Sequence, residues 1–202
     1  MGQRTIGLTG GIATGKSTVA DYLARQHHLP VLDADVYARQ AVEPGSAVLG
    51  AIAHRYGSSI LQADGTLNRG QLGEIVFNDP AEKRWLEQQI HPVVRQCFAT
   101  AMAELGEAAI VVQVIPLLFE ANLTDQVSEI WVVSCPLDQQ RQRLMARNGL
   151  SCEQADARIG SQLPLAGKVA RADVVIDNDA DLPTLFRRVD QALQQPAQGR
   201  RG

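Results

Sequence analysis

The chain alternates between short apolar runs and longer stretches in which apolar and polar positions recur at helical spacing. "TIGLT" (Thr5 to Thr9), "LPVLDA" around Val31, "AAIVVQVI" (Ala108 to Ile115), "EIWVVS" (Glu129 to Ser134) and "DVVID" (Asp173 to Asp177) have strand length. They are largely apolar instead of alternating, the pattern of parallel strands covered on both faces. Helices are expected at Lys16 to Gln26, Val36 to Val42, a long region from about Leu72 to Leu105, Leu137 to Arg147 and Leu182 to Leu193. This rhythm predicts an α/β fold: a five-stranded parallel sheet with helices on both faces and right-handed crossovers.

Two stretches exceed what a crossover needs. Residues 46–105 contain the turn-rich "GSSILQADGTLNRG" and read as a helical lobe inserted between the second and third strands. Residues 139–171 read as a lid region. Six basic residues there (Arg141, Arg143, Arg147, Arg158, Lys168 and Arg171) face only two acids, Glu153 and Asp156, so an anion-facing surface is expected. Residues 195–202 look like a frayed tail on a single domain.

Composition narrows the classes. A chain of 202 residues, 45% of them apolar, is long enough for one domain with a sizeable core. The net charge of −3 gives no reason to expect a nucleic-acid or membrane partner. Cys97, Cys135 and Cys152 are odd in number and lack CxxC spacing, which argues for a reducing compartment with neither a disulfide framework nor a zinc site. The most apolar stretch, "AAIVVQVIPLLFEA", is broken by Gln113 and Pro116 and falls short of the roughly 20 residues of a membrane span. No export signal is read at the start. A cytoplasmic monomer or weak homo-oligomer is expected.

Between the first strand and the first helix lies "GLTGGIATGKST". Gly10, Gly15, Lys16 and Ser17 satisfy G-x-x-x-x-G-K-[ST] in the required strand–loop–helix context. Glycines let consecutive N–H groups turn round a phosphate, and the helix start adds its positive dipole end. Lys16 would reach the β and γ phosphates and the Ser17 hydroxyl would hold Mg²⁺. The bland reading is a glycine-rich turn without ligand. No Asn-Lys pair occurs, so the guanine reader of GTPases is missing, and the chain is short for a motor ATPase. After the second strand, "LDADVYARQ" sets Asp33 and Asp35 at the strand's carboxyl end, where open α/β sheets bind ligands. One can receive or orient the proton of an attacking hydroxyl and the other can hold the metal through water. Either can also serve as a helix N-cap.

With these residues in place the chain resembles the dephospho-CoA kinases over nearly its whole length. The resemblance rests on "GLTGGIATGKS", "DADVYAR", "DGTLNRGQLGEIVF", "IHPVVR", "PLLFE", "QRLMAR" and "ADVVIDN" in that order. It implies ATP-dependent phosphorylation of the ribose 3′-hydroxyl of dephospho-CoA, the last step of coenzyme A biosynthesis. ATP would be held by Gly10, Gly11, Ile12, Ala13, Thr14, Gly15, Lys16, Ser17 and Thr18, with Arg143 from the lid and Asn178 closing over the adenine. Asp33 would be the base, acting with Lys16 and Arg147 in catalysis. Thr9, Asp33, Leu67, Arg69, His91, Arg95 and Pro116 would serve the substrate, whose adenosine is expected between the sheet edge and the inserted lobe. Mg²⁺ would sit on Ser17 and, through water, on Asp35.

The chain also departs from the pattern. Ala13 and Thr14 replace the usual Gly-Ser, which requires a negative φ at Ala13. Asn68 and Gly73 stand where an Asp and an Arg are common, leaving one lobe contact open. Val114 occupies an often acidic position, so Asp33, Asp35 or Glu120 is left to supply a carboxylate near the metal. His91 before Pro92 has a simpler reading as a packed or capping histidine. Two other functions fit the loop: a nucleoside or shikimate-like kinase, and a non-enzymatic ATP-dependent switch.

Overall fold

The computed structural model describes residues 3–106 and 108–195. Most of the expected tail, residues 196–202, thus lies outside the described residues. The chain forms two compact units, one of residues 1–33 and 107–202, the other of residues 34–106.

The first unit is built on five parallel strands: β1 (Arg4–Gly10), β2 (Val31–Asp33), β3 (Ile110–Val114), β4 (Glu129–Ser134) and β5 (Val174–Asp177). Their order across the sheet is β2-β3-β1-β4-β5. Ile6 and Leu8, Val112 and Val114, Trp131 and Val133, and Ile176 alternate onto one face. There they meet Val19, Ala20 and Leu23 of α1 (Lys16–Gln26) and Leu185, Val189 and Ala192 of α9 (Leu182–Gln194). The helical residues recur at steps of three and four, so each helix turns one apolar stripe to the sheet. Val111, Ile130 and Val132 point the other way and are buried too. Three helices follow β4: α6 (Leu137–Asn148), α7 (Cys152–Gly160) and α8 (Leu165–Val169), of which α8 packs against β4. Gly149 ends α6 in the left-handed conformation, and Ser151 and Gln154 form a capping box that starts α7.

The second unit holds α2 (Ala34–Gln40), α3 (Ala47–Tyr56), α4 (Arg69–Asn78) and α5 (Pro80–Leu105), the last three packed around Val42, Val48, Leu49, Ile52, Ile60, Leu67 and Leu72. The long helical region expected from Leu72 is not continuous. Asp79 accepts from the N–H groups of Ala81 and Glu82 while Pro80 takes the first helical position, so the chain stops one helix and caps the next. Glu82 of α5 binds Arg55 through two hydrogen bonds of 2.7 Å and accepts from the Tyr56 hydroxyl, fastening α5 to the end of α3. Tyr37 and Phe98 meet edge to face at 5.1 Å between ring centroids and tie α2 to α5. Among the described residues no helix is long and apolar enough to cross a membrane. Cys97, Cys135 and Cys152 are free thiols.

Candidate active site

β1 runs out at Gly10, and the chain turns through Gly11–Gly15 into α1. The turn exists because two positions lack side chains. A Cβ on Gly10 would lie 2.4 Å from the carbonyl oxygen of Val133, and one on Gly15 would lie 2.2 Å from Nδ2 of Asn178. Gly15, at φ 100°, is the N-cap of α1 and supplies no side-chain cap, so the first N–H groups of that helix have no capping side chain. Thr14 is fully buried, and its hydroxyl donates to Gly11 O at 2.9 Å. The Lys16 ammonium lies over the loop, donating to Gly10 O at 3.3 Å and Gly11 O at 3.1 Å.

Ala13 corrects the expectation of a negative φ: it lies in the left-handed region at φ 59°. That conformation crowds Cβ against the backbone and costs roughly 1–2 kcal/mol. It is held by side chains from elsewhere in the same unit. Gln140 Nε2 donates to Ile12 O at 2.7 Å, and the Ile12 N–H donates to Gln162 Oε1 at 2.9 Å.

Arg143 and Arg147 of α6 join Ala13, Gly15, Lys16, Ser17 and Thr18 round a cavity of about 190 Å³. Arg143 donates to Gln139 Oε1 and Asn178 O, both at 3.1 Å, while its Nη1 is buried with no hydrogen-bond partner among the described residues. Arg147 donates to Asn148 Oδ1. Asn178 spends its amide on Thr14 O at 2.8 Å and is buried, so it braces the loop from behind. Burial raises the nearby Cys135 thiol above its ordinary pKa, and the Arg143 guanidinium offsets only part of that rise.

The basic charge of residues 139–171 is also redistributed. Lys168, fully buried, pairs with Glu120 Oε1 at 2.7 Å. Arg141 binds Asp138 and Asp156, and Arg171 lies over the Phe119 ring at 4.5 Å. Arg143 and Arg147, by contrast, line the loop's cavity. Burial pushes the Glu120 carboxyl up, but the Lys168 ammonium and the N–H groups of Glu120 and Leu163 outweigh it and hold it below the usual range. Sequence spacing carries no signal for a pair separated by β4, α6 and α7.

At the carboxyl edge, Asp33 stands level with Val114 of β3, and Val114 with Leu8 of β1. Two strand spacings put Asp33 about 10 Å from β1. Thr9 is fully buried and donates to Pro116 O at 3.1 Å, so its hydroxyl holds Pro116 in place.

In the 34–106 unit, Leu67 and Arg69 line a cavity of about 440 Å³ with Val42, Glu43, Pro44 and Asn68. Leu67 is itself part of that unit's core. Asn68 caps α4, accepting from the Gln71 N–H at 3.1 Å. Asp35 lies in the first turn of α2. His91 and Arg95 are exposed on α5, so His91 is neither packed nor a cap. They do not line the cavity that holds Leu67 and Arg69.

A parallel sheet in this order, with a glycine loop leading from its central strand into a helix, defines a P-loop kinase. The chain belongs to the dephospho-CoA kinase family, whose family model (CoaE, dephospho-CoA kinase) matches residues 4–184. A dephospho-CoA kinase of Synechocystis sp. is 60% identical over 190 residues, covering 94% of each chain. The crystal structure of TT1252 from Thermus thermophilus superposes with a TM-score of 0.85 at 35% identity, covering 96% of this chain and 97% of that one. Dephospho-CoA kinase from Campylobacter jejuni gives 0.71 at 28% identity, covering 97% and 98%.

Proposed function

We infer that this protein transfers the γ-phosphoryl group of ATP to the ribose 3′-hydroxyl of dephospho-CoA, giving CoA and ADP, the last step of coenzyme A biosynthesis. The observation that carries the reading is the loop of Gly10 to Thr18, with a basic cavity beside it and Asp33 at the same edge of the sheet.

The residues present suit a triphosphate. The N–H groups of Ala13 and of residues 15–18 and the positive end of α1 accommodate its oxygens, and the Lys16 ammonium exchanges loop carbonyls for phosphate oxygens. The Arg143 and Arg147 side chains bring two cationic donors to the same cavity. Asp33 receives the proton of the 3′-hydroxyl as its oxygen bonds to phosphorus and the bond to the ADP oxygen breaks. Charge spreads over the phosphoryl oxygens in a loose transition state, so the cationic groups contribute more than proton removal. Ser17 would hold Mg²⁺ on the loop, where the ion would supply positive charge for the phosphates.

The 46–105 segment serves as the CoA-side lobe, where Leu67, Arg69, His91 and Arg95 bind the substrate, and Pro116 shapes the acceptor side of the sheet edge. The 139–171 segment serves as the lid that excludes water. The enzyme works in the cytoplasm as a monomer or weak homo-oligomer, without nucleic-acid or membrane partners, in keeping with its net charge of −3.

Incubation of the purified protein with ATP, Mg²⁺ and dephospho-CoA should yield a product heavier by one phosphoryl group in the mass spectrum. Turnover of shikimate or a nucleoside with none of dephospho-CoA would overturn the reading, as would ATP binding without transfer.

A further inference from the structure

Ile12 is bound at both its main-chain groups by glutamines that the phosphate loop does not contain, its N–H in the Gly11–Ile12 peptide and its C=O in the Ile12–Ala13 peptide. Gln140 is buried in α6 and reaches Ile12 O at 2.7 Å. Gln162, between α7 and α8, offers Oε1 to the Ile12 N–H at 2.9 Å. Gly11 makes the first contact possible, because a Cβ there would lie 2.6 Å from Gln140 Nε2. The next residue, Ala13, is held left-handed at φ 59°. A non-glycine residue stays in such a conformation only where its surroundings over-determine it.

We propose that Gln140 and Gln162 are positioning residues for the nucleotide. By fixing the two peptide planes on either side of Ile12, Gln162 the one before it and Gln140 the one leading into Ala13, they keep Ala13 left-handed and the N–H groups of Ala13 and of residues 15–18 turned inward. Relaxation of Ala13 to negative φ rotates the peptides on either side of it and disperses those donors. A glycine at position 13 needs no such grip, since it populates both signs of φ with similar ease. The proposal rests on the reading of Gly10 to Thr18 as the ATP cradle, and both glutamines act through that loop.

The test is a double-mutant cycle on the full chain. Gln162→Leu and Gln140→Leu are made separately in the parent and in an Ala13→Gly background, and ATP affinity is measured by calorimetry alongside kcat and both KM values. In the parent, each substitution should weaken ATP binding and raise KM for ATP about tenfold, the worth of one hydrogen bond. KM for dephospho-CoA should move less than about twofold. In the Ala13→Gly background the loss should shrink to under about threefold. Equal losses in both backgrounds, with melting temperatures lowered alike, would reduce the glutamines to structural residues and overturn the proposal. Unchanged ATP affinity in the parent would overturn it too. Lys16→Ala measured in parallel separates the two failures: parental ATP affinity in that variant removes the cradle itself.

Discussion

Gly10 and Gly15 are walled in by Val133 and Asn178, whereas Arg69, His91 and Arg95 of the 34–106 unit stand exposed on their helices. In the first region the working groups are main-chain N–H donors, and their direction is set by buried contacts from β4, α6 and the turn after β5. In the second the expected groups are exposed side chains on helix surfaces, whose long rotamer-rich stems lose conformational entropy on binding. The nucleotide end should therefore fail sharply when altered, and the 34–106 unit gradually.

Lys16→Ala is the hardest break. Loss of the ammonium from the loop should lower kcat/KM by at least about 10³-fold with little change in melting temperature, as measured in a coupled ADP assay. Asp33→Asn keeps the shape and removes the base, and should cost about 10²- to 10⁴-fold in kcat. Near-normal turnover would remove Asp33 from the mechanism. Arg69→Ala should act on one substrate alone, raising KM for dephospho-CoA about tenfold and leaving KM for ATP unchanged. An equal rise in both constants would erase the contrast between the two regions.

The smallest effect is one of acidity. The hydrogen bonds from Arg55 and Tyr56 hold the Glu82 carboxyl down to about 2, against an ordinary 4.5. A depressed carboxylate adds stability above its unfolded pKa and loses it as pH falls through the folded one. The helices of residues 34–106 should thus lose hydrogen-exchange protection between about pH 4.5 and 2. Glu82→Gln should flatten that dependence, and a dependence unchanged in the variant would place its origin elsewhere.

The sheet was legible because parallel strands are apolar on both faces and sit between glycine and aspartate turns. β4 is found at the expected bounds, and α1 likewise. The phosphate loop was legible because its geometry depends on glycine. What escaped was long-range. The Asp79–Pro80 break had a local signal, an N-cap residue before a proline, that the helical periodicity masked. The sign of φ at Ala13 had none, for it is imposed by Gln140 and Gln162, far along the chain. The charges on Lys168 and Arg141 likewise read as anion-facing until their partners were located.

Lys168, locked to Glu120, acts as a stitch near the root of the expected flap. Leu163 donates its N–H to the same carboxylate, so the segment from Leu163 to Lys168 is tacked down at both ends. What is left for the expected flap to swing is the shorter arm between the left-handed Gly149 and Gln162, and moving it has to part Arg141 from Asp156 and Gln162 from Ile12. A brief arm sweeps a small arc, so shielding the reaction from water would demand little rearrangement and release of product little time.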